Sequence, residues 1–130
     1  MDLKPPCFFK LLVDDVTRMN AEEVDRIFFV RTADDVKHVL HLARNDGKTI
    51  SMRGTKHSMG GHTIAKDGYV IDMAKLNYMK YSKETNTIVV GPGALWSKVV
   101  FYLNKFGLSL KTLQSYSTFR YAVLKGLLLL

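Results

Sequence analysis

The sequence predicts an α+β fold with a small mixed sheet containing a parallel βαβ unit, and three observations carry that prediction. An apolar run is followed by a capped amphipathic segment and a second short apolar run. Two further apolar runs are joined by a polar turn, and a second helical stretch lies between glycines. At 130 residues the chain has room for one ordinary domain. Its 47% hydrophobic and 24% charged residues, with 9 Gly and 3 Pro, exclude disordered and collagen-like classes.

After an irregular lead-in, RIFFVR at Arg26–Arg31 sets Ile, Phe, Phe and Val in succession, the pattern of a strand buried on both faces. Thr32 then stands where a helix N-cap belongs, and Asp35 three residues on completes a carboxylate form of the capping box. Val36, Val39, Leu40 and Ala43 share one helical face. The helix should end near Asn45, with Gly47 just beyond it. Thr49–Met52 reads as the next strand, and strand, helix, strand with tight joints predicts a right-handed parallel crossover. Residues 53–62, RGTKHSMGGH, carry three glycines and no apolar period, so they form a loop.

Tyr69–Met73, Tyr78–Ser82 and Thr87–Val90 read as three more strands, the last two antiparallel across the turn KETN. Gly91, Pro92 and Gly93 then lead into a helix from Ala94 to Phe106, with Trp96, Val99, Val100 and Leu103 on one face and Gly107 as its stop. From Arg120 the sequence RYAVLKGLLLL breaks this grammar. It reads as a terminal helix or strand, but four final leucines make an unusual surface end, and a fragment of a longer chain is the expectation.

The net charge is +7. Residues 1–65 hold 10 Lys/Arg against 9 Asp/Glu, whereas residues 66–130 hold 9 against 3, so the excess lies in the second half. Lys75, Lys80, Lys83, Lys98, Lys105 and Lys111 are spread singly there, which suits a solvated surface and leaves open a small basic module for nucleic acid or phosphate. The lone Cys7 allows no internal disulfide, so a reducing, cytoplasmic compartment is expected. No apolar stretch approaches the roughly 20 residues that cross a bilayer, and no membrane association is predicted.

The loop at 53–62 is where chemistry concentrates. Gly54, Gly60 and Gly61 let the backbone approach an anion closely, Arg53 and Lys56 add charge, and Ser58 adds a hydroxyl donor. It matches neither the Walker A nor the GxGxxG pattern, so a plain connecting loop stays an equal alternative. His57 and His62 lack the further ligands a metal shell needs, and no metal site is predicted. His57 alone reads as a loop histidine bonded to backbone. His38 and His41 read as exposed positions near the negative end of a helix dipole. Asp14 and Asp15, Glu22 and Glu23, Asp34 and Asp35 read as solvated caps and turns rather than a general acid and base. No nucleophile triad or GxSxG elbow exists, and no catalytic residue is assigned.

Taken in order, the segments LVDDVTRMN, VRTADDVKHVLHLARNDGKTISMRG, RGTKHSMGGH and YVIDMAKLNYMKYSKETNTIVVGPGALWSKVVFYLNKFGL resemble a known family over Val13 to Phe119. It is the PCMH-type flavin-binding domain of FAD-linked oxidases of the vanillyl-alcohol oxidase type, with relatives such as cytokinin dehydrogenase, berberine bridge enzyme-like proteins and alditol oxidase. The resemblance implies the first part of such a domain. It implies FAD as cofactor, with Arg53, Gly54, Thr55, Lys56, His57 and Ser58 around its pyrophosphate, and Gly60, His62, Gly91, Pro92, Gly93 and Ser115 also beside it. In many relatives the histidine at the position of His57 is bonded covalently to the flavin, and a glutamine often stands where this chain has His62.

After Phe119 the family continues toward a Gly-Gly pair, whereas this chain has Arg120, Tyr121, Ala122 and Val123. The family pattern is therefore expected to fail over about 120–130. A small-molecule substrate would enter through a separate domain that is absent, and the chain would be inactive alone.

Overall fold

The computed structural model describes residues 11–57, 59–111 and 128–129. Its elements in order are β1 (Leu11–Val13), β2 (Glu22–Val24), β3 (Arg26–Phe29), α1 (Ala33–Asn45), β4 (Ile50–Arg53), β5 (Tyr69–Asp72), β6 (Met79–Ser82), β7 (Thr87–Val90), α2 (Trp96–Asn104) and β8 (Leu128–Leu129). The α+β class and the parallel βαβ arrangement are as predicted. The strands, however, divide into separate sheets: β1-β2 antiparallel, β3-β5-β4 parallel, and β6-β7-β8 antiparallel.

The parallel sheet places β5 between the two strands of the crossover, with Phe28, Ile71 and Met52 in one row and Phe29, Asp72 and Arg53 in the next. Every residue of β5 is buried because both faces are covered. Toward α1, Ile71 packs with Val30, Val39, Met73 and Leu76, and Phe28, Val36 and Ile50 close around them. Toward the β1-β2 pair, Val70 packs with Val13 and Val24, with Ile27 and Ile64 beside them. The lead-in read as irregular thus supplies two strands. Three-residue strands carry too few alternations to be seen as a period.

Two packing expectations are corrected. The run Arg26–Arg31 was expected to be buried on both faces, yet β3 is an edge strand and Phe29 is 58% exposed. In α1, Val39 and Ala43 are buried while Leu40, at the rim of the predicted stripe, is 49% exposed. The ends of α1 follow the prediction closely. The Thr32 hydroxyl accepts from the Asp35 amide at 3.1 Å, the Asp35 carboxylate accepts from the Thr32 amide at 2.9 Å, and Gly47 beyond the C-cap is left-handed.

A second core lies under the antiparallel sheet, where Ile88 meets Ala94, Trp96, Val99 and Leu103, with Tyr81 and Tyr102 packed against them; Val100, expected on the same face, is half-buried. The hairpin across Lys83–Asn86 pairs Ser82 with Thr87, as the turn predicted. β8 pairs antiparallel with β7 through Leu128 and Ile88, so the leucine tail supplies a strand. The rest of the departure over 120–130 lies outside the described residues.

Candidate functional site

Three chain segments leave the carboxyl ends of the parallel strands side by side: the entry to α1 after Phe29, the glycine-rich loop after Arg53, and the segment from Met73 after Asp72. That edge of a parallel sheet is where ligands of open α/β sheets bind, since each strand ends there in a loop free to vary. The turn Gly91–Gly93 docks onto the same edge. The Gly93 amide donates to the Leu76 carbonyl at 2.8 Å, and a Cβ on Gly93 would collide with the Met73 carbonyl oxygen. Met73 in turn donates its amide to Arg53 O at 3.1 Å. The structure therefore brings together Arg53, Met73 and Gly93, three positions far apart in sequence.

Arg53 is a buried cation. Its Nε donates to Asp72 Oδ2 at 2.9 Å, straight across the parallel register, and both side chains are under a tenth exposed. Asp72 Oδ1 accepts from the Ala74 amide at 2.9 Å. The guanidinium thus has a carboxylate partner within the fold, so the first residue of the loop anchors it to β5. Lys56 is different: it is exposed, with its backbone left-handed at φ 61, a conformation uncommon for a side-chain-bearing residue. The backbone amides of Thr55 and Lys56 make no hydrogen bond among the described residues. Both residues line an open cleft of about 510 Å³ with Asp14, Asp15 and Arg18. The turn thus sets these amides and the Lys56 ammonium at a cleft whose opposite wall carries the Asp14 and Asp15 carboxylates and the Arg18 guanidinium.

His57 is exposed at the loop surface. His62 is also exposed, and its ring folds back on its own loop, with Nε2 at 2.5 Å from where a Cβ on Gly60 would stand. A side chain at position 60 would displace the exposed His62 ring. Ser58 and Ser115 lie outside the described residues. At the second segment the Gly91 amide donates to Tyr78 O at 2.8 Å and the Ala94 amide to Gly91 O at 3.0 Å, so these amides hold the turn itself. Beside Gly93 a smaller cleft of about 260 Å³ is lined by Ala74, Asn77, Met79 and Lys98. At the α1 N-terminus Asp35 accepts from the Arg31 and Thr32 amides; those bonds, Arg31's foremost, hold its carboxyl below the usual range.

Asp15 corrects the sequence reading most sharply. Expected to be solvated, it is 5% exposed and accepts four hydrogen bonds. Its Oδ1 takes the Thr17 hydroxyl at 2.6 Å and the Thr17 amide at 2.9 Å. Its Oδ2 takes the Asn20 side-chain amide at 2.7 Å and, across 46 residues, the Gly61 amide at 3.0 Å. The Thr17 hydroxyl is the largest of the influences that hold its pKa at about 2, ahead of the opposing effect of burial and the added pull of the Gly61 amide. The spacing of Asp15, Thr17 and Asn20 signals a local side-chain turn, but nothing in one sequence points from it to Gly61.

The lysines of the second half are dispersed as predicted, two of them over aromatic rings: Lys75 at 5.6 Å from the Phe29 centroid and Lys105 at 5.5 Å from that of Phe101. Among the described residues, no helix is long and apolar enough to cross a membrane.

Residues 24–120 match a family described as an FAD binding domain. Cytokinin dehydrogenase 1 of Arabidopsis thaliana is 31% identical over 84 residues, which are 62% of this chain and 15% of that protein. Cholesterol oxidase from B. sterolicum superposes with a TM-score of 0.71 at 20% identity, over 92% of this chain and 25% of that one. 6-Hydroxy-D-nicotine oxidase from Arthrobacter nicotinovorans superposes with a TM-score of 0.61 at 27% identity, over 66% of this chain and 19% of that one. The chain thus spans a quarter or less of the length of these relatives.

Proposed function

The chain belongs to the FAD binding domain family, and from that premise we propose that the loop from Arg53 to His62 holds the FAD pyrophosphate of a flavin-dependent oxidoreductase. The observation that carries the reading is the pair of unpaired amides at Thr55 and Lys56, set around a left-handed turn at the carboxyl ends of parallel strands. Two neighbouring N–H donors and the Lys56 ammonium suit a diphosphate, and Gly54 carries no side chain to obstruct one. Arg53 contributes by fixing the loop's first residue through Asp72. Gly91, Pro92 and Gly93 bring a second chain segment to the same sheet edge, where Lys98 adds a positive charge beside the smaller cleft.

When bound, FAD supplies the hydride acceptor for oxidation of a C–O or C–N bond. His57, exposed on the loop, is the residue we assign to covalent attachment, with Ser58, His62 and Ser115 as further cofactor neighbours. The substrate side belongs to the length of the relatives that this chain does not span, and the lone Cys7 suits a cytoplasmic setting.

The test is an absorbance and fluorescence titration of the chain with FAD, followed by acid precipitation. Saturable quenching of flavin fluorescence is expected, and its absence would refute FAD binding by this chain. Yellow colour retained in the pellet, and lost in His57→Ala, is the expected sign of covalent attachment. A colourless pellet after saturation would remove that assignment and leave the binding reading intact.

A further inference from the structure

The glycine-rich loop is tied down at both ends, and its far tie comes from a distant part of the chain. At its near end Arg53 sits in the β4 ladder and pairs with Asp72. At its far end the Gly61 amide donates to Asp15, which belongs to the turn between β1 and β2. Between the two lies Lys56 in a conformation that a non-glycine residue keeps only when its surroundings over-determine it. Asp15, Thr55 and Lys56 line one cleft.

We propose that Asp15 is a positioning residue for the cofactor loop, fixing Gly61 so that the Thr55 and Lys56 amides are held in place before FAD arrives. The proposal rests on the FAD reading of this loop. Four donors converge on the Asp15 carboxylate, and only the ionised form accepts on both oxygens without presenting a donor of its own. An asparagine there would have the same shape but would turn its NH2 toward one pair of those donors. Thr17 and Asn20 orient the carboxylate through their side chains, and the Asn20 backbone amide donates to Asp14 Oδ1 at 3.2 Å, which closes the turn around them.

The experiment is backbone amide hydrogen exchange on the full chain, on Asp15→Asn and on Thr17→Val, with an FAD titration of each. Thr17→Val removes the hydroxyl that donates to Oδ1 and accepts from the Met19 backbone and Asn20 side-chain amides, and leaves the Oδ2 acceptor for Gly61. In Asp15→Asn, exchange over residues 59–64 should rise about tenfold and the FAD dissociation constant about tenfold, while α1 and β5 keep their protection. In Thr17→Val, which keeps the Oδ2 acceptor of the Gly61 amide, both should rise by less than half as much as in Asp15→Asn.

Unchanged loop exchange in Asp15→Asn would overturn the proposal. So would equal effects in both variants, or an equal rise across β5, which would mark Asp15 as general support for the fold. If Asp15→Asn does not fold, the unmodified chain decides: its Gly61 amide must exchange about a hundredfold slower than that of Lys56, and equal rates overturn the proposal. Loss of loop protection in a chain that never binds FAD would refute the FAD reading while leaving Asp15 as the loop's anchor.

Discussion

Two carboxylates, Asp15 and Asp72, hold the ends of one loop, and they do so with different physics. Asp15 works through hydrogen bonds to its ionised form, which lower its pKa from 3.8 to about 2. A group whose folded pKa is depressed stabilises the fold above its unfolded value and loses that contribution as pH falls through the folded one. The stability difference between the chain and Asp15→Asn, followed by urea denaturation, should therefore be constant at neutral pH and shrink between about 3.8 and about 2. Asp72 works as the counter-charge of a buried guanidinium. Removing one partner of such a pair leaves an uncompensated charge, so Asp72→Asn should cost about 3–5 kcal/mol in the same assay. A cost below about 1 kcal/mol would mean that Arg53 has found another partner or reached water.

At the scale of elements, the turn after β7 shows why glycine is required where the sequence suggested cofactor contact. Gly93 lies against the backbone of Met73, and the clash of a Cβ there is with a carbonyl that cannot rotate away. Gly93→Ala should therefore lower stability by about 3 kcal/mol or more, measured by thermal unfolding, because it forces apart the two segments that meet at the site. An unchanged melting temperature would show that the turn is free to move off the sheet edge. The elements also differ in how local their determinants are. α1 carries its own N-cap, capping box and C-terminal glycine within the span Thr32–Gly47, and each is found where the pattern placed it. β3 is specified by its neighbours: the same apolar residues would suit a central strand, but β5 takes that place and leaves Phe29 at the surface.

For the whole molecule, two cores are joined at one edge. One core sandwiches β5 between α1 and the β1-β2 pair, the other packs α2 on the antiparallel sheet, and the contact of Met73 and Leu76 with Gly91–Gly93 links them. FAD bound at that edge stabilises the folded state by linkage, so at a free concentration of 100 times its dissociation constant it should add about 2.7 kcal/mol and raise the melting temperature by roughly 10 °C. A thermal-shift series with FAD checks this, and a flat series would contradict binding at the loop. Of the cations behind the +7 charge, Lys75 and Lys105 lie over aromatic rings and Arg53 is paired with Asp72 inside the fold.

What the sequence determined by itself is whatever depends on near neighbours. The ends of α1, the hairpin at Lys83–Asn86, the β5 and β7 segments and the RGTKHSMGGH loop are all set by residues within a few positions of one another, and the ordered motifs sufficed to indicate the FAD binding domain family. What only the tertiary structure decided is which of those residues remain available. Arg53 reads as a free cation until parallel register sets Asp72 opposite it, and Asp15 reads as a solvated turn residue until the chain returns 46 positions later with the Gly61 amide. A hydrogen bond's partner is set by distance in space, and one sequence carries the donors and acceptors without the folding that brings them within 3 Å of each other.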